Sequence, residues 1–293
     1  MTQFKDSTLL VTGASGKLGR LVVDELLARG ASKIIAGTRD PSKLADLAAR
    51  GVEIRQIDFD DAASLATGFA GVDRLLIIST DGIGTRIAQQ SAAIAAAKAA
   101  GVKHVVYTSA PAARPNDDAG ISVEHFWTEV ALANSGLGFT VLRNHMYAEN
   151  NLADAAHVVS SGKLFGLAGD RGTSYVTRAD AARTAAGALL TAEGKTFDDV
   201  TGPAPITNVE RAAIYARLTG KPVQSIAVTG AELKAGMVGA GVPESFAEAL
   251  LAFQRDAVTG HFGVVTDTVE RFSGRKPETL ESFLTANKAA LGA

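Results

Sequence analysis

The chain has 293 residues, 46% of them hydrophobic, enough for one large domain or a domain with a smaller lobe around a substantial core. Its formal charge of -2 supplies no basic field for a phosphate backbone, which argues against nucleic acid and for small-molecule or protein partners. The absence of cysteine excludes a disulfide framework, a thiol nucleophile and a cysteine zinc site, in keeping with a reducing compartment. The N-terminal MTQFKDS lacks the apolar core of a signal peptide, and charges and glycines interrupt every apolar run before membrane-spanning length. The expectation is a soluble, cytoplasmic protein with no membrane partner; homo-oligomerisation stays open.

In chain order, the apolar run at 9–11 predicts a strand, and Leu18, Leu21, Val22, Leu26 and Leu27 then recur at helical spacing up to Arg29. KIIAGT is strand-like, 41–49 helical, VEIRQID a strand, 62–69 a short helix and RLLIIST a strand. An Ala-rich helix over 85–100, the strand HVVYTSA, a helix over 123–135 and the strand FTVLRN follow. Parallel neighbours need crossover helices, so this alternation predicts an α/β fold with a doubly wound parallel sheet of the Rossmann type. After Asn144 the rhythm changes. SSGKLFGLAGDRGTSYV is rich in Gly and Ser, 178–190 is helical, and TNVERAAIYARLTG and PESFAEALLAFQRDAVTG are helical with caps at Thr207 or Asn208 and near Pro243. The expected organisation is a Rossmann domain over 1–150. Residues 151–293 form mainly a smaller C-terminal substrate lobe, with some segments returning to the first part.

Between the first strand and helix stand Gly13, Gly16 and Gly19. Glycines there let backbone N–H groups approach a pyrophosphate at the positive end of a helix dipole. Gly13, Ser15, Gly16, Lys17, Leu18 and Gly19 thus read as a dinucleotide cradle of the GxxGxxG form; an ordinary tight βα turn is the plainer alternative. A Walker loop is excluded, because no Gly-Lys-Ser/Thr follows.

The end of the second strand reads GTRDPSK. A carboxylate there would bind the free ribose hydroxyls of NADH, whereas a cation accommodates the extra phosphate of NADPH. Arg39 can grip a phosphate bidentately, with Thr38 and Lys43 nearby and Lys17 adding charge, while Asp40 could address the ribose and Arg39 could be a solvated surface charge. NADPH is favoured over NADH. Asp58 and Phe59, ending the third strand, could accept the adenine amino group and flank its ring; alternatively Asp58 caps the next helix. Ile78, Ser79 and Thr80, ending the fourth strand, should line the ribose and pyrophosphate trough.

With these residues in view the chain resembles the NmrA-like atypical short-chain dehydrogenase/reductase family, and within it the bacterial NAD(P)H:quinone oxidoreductases and triphenylmethane reductase. The landmarks are VTGASGKLG, GTRDPSKL, AAKAAGVKHVVYTS, TVLRNHMYAENNL, SYVTRADAA, TGPAPITNVE and AGVPESFAEAL. The resemblance implies NADPH in the crevice and a nicotinamide that meets substrate between the Rossmann part and the C-terminal lobe. It implies a reductase delivering hydride to a quinone-like or other conjugated small molecule. An NADP(H)-binding redox sensor without turnover is the alternative.

Ordinary short-chain dehydrogenases use a Tyr-x-x-x-Lys pair, whose cation prepares the tyrosine to pass a proton. Here, with His125 at the lysine position, Ile121 falls at the tyrosine position, and Val130 follows the Thr-Glu step where some members keep a lysine. The departure favours acceptors that need little protein proton transfer. His125 and Glu129 share a helix side at i, i+4; no further ligand accompanies them, so no metal site is expected. His125 reads equally as a packed or a catalytic histidine. Thr108 and Ser109, ending the fifth strand, could address the nicotinamide or substrate, while Tyr107 reads as core. The resemblance places the turn after FTVLRN beside the nicotinamide, where Asn144 and Tyr147 could bond an acceptor oxygen as charge develops on it. Loop structure is the alternative there, and Phe126 and Trp127 are either pocket wall or core.

Overall fold

The computed structural model describes residues 3–115, 121–169 and 171–292. Seven strands form one parallel sheet: β1 (Thr8–Val11), β2 (Lys33–Thr38), β3 (Glu53–Gln56), β4 (Arg74–Ile77), β5 (His104–Ser109), β6 (Gly138–Asn144) and β8 (Lys195–Val200). Their order is β3-β2-β1-β4-β5-β6-β8, so the chain reverses direction across the sheet between β1 and β4, the position where open parallel sheets take their ligands. Strands β7 (Lys163–Leu167) and β9 (Gln224–Val228) pair separately, also in parallel.

The helices are α1 (Lys17–Ala28), α2 (Ala45–Ala48), α3 (Ala62–Gly68), α4 (Arg86–Ala99), α5 (Ile121–Asn134), α6 (Ala155–Ser161), α7 (Arg178–Thr191), α8 (Asn208–Thr219), α9 (Gly230–Gly239), α10 (Glu244–Thr259), α11 (Thr268–Ser273) and α12 (Leu280–Ala286). The doubly wound sheet expected from the alternation is present. Its fully buried residues, among them Leu10, Leu75, Val105, Tyr107 and Val141, pack with Leu65 and Phe69 of the α3 region, Ala93 and Ala97 of α4 and Leu132 of α5. Elsewhere α7 packs against α1 and α11.

Local differences from the sequence reading have simple causes. The expected helix over 41–49 is split into a 3-10 turn over 41–44, capped by Asp40 with Pro41 at its first position, and the short α2. Of the two caps left open for α8, Thr207 is the one used, through a capping box in which Thr207 and Glu210 satisfy each other's backbone N–H. β8 went unnoticed in the sequence because KTFDDV carries two adjacent aspartates and borders a helix.

The chain divides into two compact units. Met1–Asn144, Arg178–Val200 and Thr268–Arg275 make the first; His145–Thr177, Thr201–Asp267 and Lys276–Ala293 make the second. In the first unit, Arg29 donates to the carbonyls of Phe272 and Arg183, fastening α11 and α7 to the end of α1. The second unit has its own core, including Val158, Val159, Leu164, Ile214, Tyr215, Leu280 and Leu284. Among the described residues no helix is long and apolar enough to cross a membrane.

Candidate active site

The glycine turn is built by close backbone packing. Gly13 has a φ of +61°, which L side chains rarely adopt, and a Cβ at Gly19 would lie 2.4 Å from the carbonyl oxygen of Gly13. Only a bare backbone lets α1 begin this close to the end of β1. Gly16 caps α1 without a side-chain hydrogen bond, and no acidic residue occupies the first turn. The first N–H groups therefore lack a side-chain acceptor and the helix dipole has no local anion, which suits a pyrophosphate. This cradle fits a dinucleotide.

Hydroxyl groups tie the neighbouring strand ends to it. Ser15 and Thr38 Oγ atoms lie 2.9 Å apart, and Ala14 N–H donates to the Gly37 carbonyl. Thr12 Oγ1 donates to the Leu76 carbonyl and accepts from Ile78 N–H, both at 3.0 Å. Ser79 N–H in turn donates to Thr108 Oγ1 at 3.0 Å. The structure thus brings the glycine turn, Thr38, Ile78, Ser79 and Thr108 together along the carboxyl edge of β2, β1, β4 and β5.

Beside this edge, Arg39 and Lys17 are exposed, and neither enters an ion pair among the described residues. Asp40 is occupied differently. Its carboxylate accepts from Ser42 N–H at 3.1 Å and Ser42 Oγ at 2.6 Å, and the Ser42 bonds, with Lys43 nearby, hold it below the usual carboxylate range. That carboxylate caps a turn, and the cation next to it is the group left for a ligand. Arg20 steadies the segment by donating to the Lys43 carbonyl and pairing with Asp46. Asp58 accepts from Asp60 N–H, whereas Asp61 caps α3, so the helix-cap alternative for Asp58 is replaced by a local turn. Phe59 packs half-buried against the core of the first unit.

The α5 side chains turn inward. His125 is 4% exposed, its Nδ1 lies 2.6 Å from Tyr107 Oη, and burial pushes its pKa down to about 3. That burial and the Tyr107 contact accord with the packed alternative, in which His125 joins α5 to β5. One helical turn on, Glu129 accepts from Ser109 Oγ at 2.6 Å and from Arg143 Nε and Nη2 at 3.0 and 2.6 Å. Ser109 has therefore given its hydroxyl hydrogen to Glu129. Arg86 and Glu124 form a further buried ion pair at 2.8 Å, and both hold the segment after β4, through the Thr80 carbonyl and Gly84 N–H. Trp127 is 48% exposed, so it does not fill core.

Asn144 ends β6 and is buried, one residue beyond Arg143, which stands in register with Ser109. Tyr147, half-buried, is the cap of a 3-10 turn over Ala148–Leu152 and bridges to Val176. Within the second unit, Met146, Thr173, Tyr175, Phe253, Val258 and Phe262 line a recess. Sequence reasoning missed Tyr175 and its partner Arg211, as well as the Arg86–Glu124 pair. The available signal was charge inside apolar stretches, since a buried charge requires a partner. Among the described residues no group of three or more His, Cys, Asp or Glu could hold a metal ion.

Comparison with known proteins adds to this geometry. A family model described as NAD(P)H-binding matches residues 13–192. The chain is 37% identical over 275 residues to quinone oxidoreductase 2 of Escherichia coli, covering 93% of this chain and 96% of that one. The crystal structure of an NADPH-dependent quinone oxidoreductase from E. coli with NADPH superposes with a TM-score of 0.91 at 35% identity, covering 96% of this chain and all of the other (100%). Citrobacter sp. triphenylmethane reductase complexed with NADP(H) gives 0.86 at 33% identity, covering 96% and 99%.

Proposed function

Since the chain belongs to the NAD(P)H-binding family and resembles a quinone oxidoreductase along nearly its whole length, we propose that it is an NADPH-dependent reductase delivering hydride to a quinone-like or other conjugated small-molecule acceptor. The observation that carries this is the glycine cradle beside an Arg39 that enters no ion pair among the described residues, with Asp40 already used as a cap. Backbone N–H groups at the start of α1 would hold the pyrophosphate, and Arg39, supported by Lys43 and Lys17, the 2′-phosphate. The likeness to the two solved reductases supports the same cofactor choice.

NADPH, when bound, supplies the hydride. The protein's own tasks are to seat the acceptor, exclude water and meet the charge that develops. Asn144 and Tyr147 are assigned to that charge. Met146, Phe253 and Phe262, in the recess of the second unit, are assigned to apolar contact with a flat ring. His125 is left out, because a buried imidazole held neutral by its surroundings has no proton to give at neutral pH. A quinone or cationic dye suits such a site, since each yields a stabilised product that takes any further proton from water. The 1–150 segment serves as the cofactor domain and most of 151–293 as the acceptor lobe. The cytoplasm, where NADPH is available, is the proposed location.

Anaerobic oxidation of NADPH against a panel of quinones, enones, imines and dyes tests the assignment. Turnover of quinones or dyes is expected. Tight NADPH binding with no turnover of any acceptor would instead identify a sensor.

A further inference from the structure

Resting on that reading of the acceptor side, we propose that Tyr175 seats the acceptor through its phenol O–H, which donates a hydrogen bond to a carbonyl oxygen, and that Arg211 is the positioning residue behind it. Tyr175 lines the recess with Met146, Phe253 and Phe262. Its phenol oxygen accepts from Arg211 Nη1 at 3.1 Å. A guanidinium carries donors and no acceptor, so the tyrosine's own hydrogen cannot point back along that bond. Among the described residues that O–H meets no acceptor. It is a donor left for something else.

The surroundings fix this arrangement. Arg211 Nη1 also donates to Asn151 Oδ1, and Nη2 to Asn208 Oδ1, both at 3.0 Å. Asn151 is 2% exposed, and its Nδ2 donates to the Ala148 carbonyl at 3.1 Å, which turns its amide oxygen toward Arg211. Tyr215 Oη secures the Asn151 carbonyl at 2.9 Å. The Tyr175 backbone is equally constrained. A Cβ at Gly202 would lie 1.9 Å from the Tyr175 carbonyl oxygen, and the flanking Thr173 exchanges two backbone hydrogen bonds with Ile206 at 3.0 Å. A phenol on a fixed backbone, with a cation against its oxygen, is prepared to receive negative charge on an acceptor oxygen with little rearrangement. The lining is mixed, with Met146, Phe253 and Phe262 offering apolar contact and Thr173, Asn208 and Gln254 polar groups, which suits a flat ring system bearing a carbonyl.

The test compares binding of 1,4-naphthoquinone and naphthalene to the full chain without NADPH, in the wild-type protein and Tyr175→Phe. The phenylalanine keeps the ring that packs on the core of the second unit. Wild type should prefer the quinone, and Tyr175→Phe should lose about tenfold of that preference, the range of one hydrogen bond, with naphthalene and NADPH affinities unchanged. Under turnover the variant should raise KM for the quinone more than it lowers kcat. An unchanged quinone-to-naphthalene ratio in Tyr175→Phe overturns the proposal. A wild-type protein that binds the quinone through Tyr175 yet oxidises no NADPH would sink the reductase reading alone, because the binding arm contains no cofactor.

Discussion

Ser109 donates its hydroxyl hydrogen to Glu129 at 2.6 Å, and the same buried carboxylate takes two nitrogen donors of Arg143. Ser109 and Arg143 stand in register at the ends of β5 and β6, so one α5 side chain locks two strand ends beside Asn144. This face of α5 is used as a fastener. Glu129→Ala should therefore destabilise the fold by about 3 kcal/mol, by leaving Arg143 without its counter-charge. Urea denaturation of the purified variant measures this, and a loss below the usual surface-mutation range of about 0.5 kcal/mol would show that the lock is incidental.

The buried histidines set an acid limit. Burial lowers His125 to about 3 and His104 to about 4, against about 6.5 for an unfolded chain. The unfolded state thus binds more protons below that value, and stability is fully present above about pH 6.5 and declines as pH falls toward 3. A His104→Asn, His125→Gln double variant should show a flatter melting temperature between these pH values. An identical acid profile would assign the decline to the carboxylates.

Cofactor choice should reside at Arg39. Arg39→Ala should weaken NADPH by about 2 kcal/mol, the scale of a charge-assisted contact, and leave NADH nearly untouched. Fluorescence titration with both dinucleotides decides it; equal losses would remove Arg39 from the phosphate.

Gly19→Ala tests the cradle. The added Cβ would sit 2.4 Å from a backbone oxygen, so the start of α1 must shift and both dinucleotides should lose affinity together. Unaltered binding of either would show that α1 is not the pyrophosphate seat.

Asn144→Ala should lower turnover by about 2–3 kcal/mol in activation free energy with little change in NADPH affinity, by analogy with a lost oxyanion donor. His125→Gln should cost less. The reverse order would return the proton-transfer role to the histidine.

The fold and the close backbone turn at its first strand were legible because their signals are local. Gly13, Gly16 and Gly19 mark a backbone approach, and Arg39 follows a strand whose end the βα rhythm locates. The roles of His125 and Ser109 were not legible, since Tyr107 and Glu129 lie 18 and 20 positions away and only packing shows that they meet. Arg211 and Tyr175, 36 positions apart, were hidden for the same reason. Asp40 illustrates the intermediate case: the sequence left it open as a ribose ligand, and the structure shows its carboxylate bonded to Ser42 in the following turn.

Direct hydride delivery is the central claim, and isotope transfer tests it. NADPH deuterated at both C4 positions is incubated anaerobically with the protein and a cationic triphenylmethane dye in ordinary water, and the colourless product is weighed by mass spectrometry. Direct hydride transfer gives a product carrying deuterium at its central carbon. A product whose new hydrogen came from water, or a dye left unreduced beside fully bound NADPH, would contradict it.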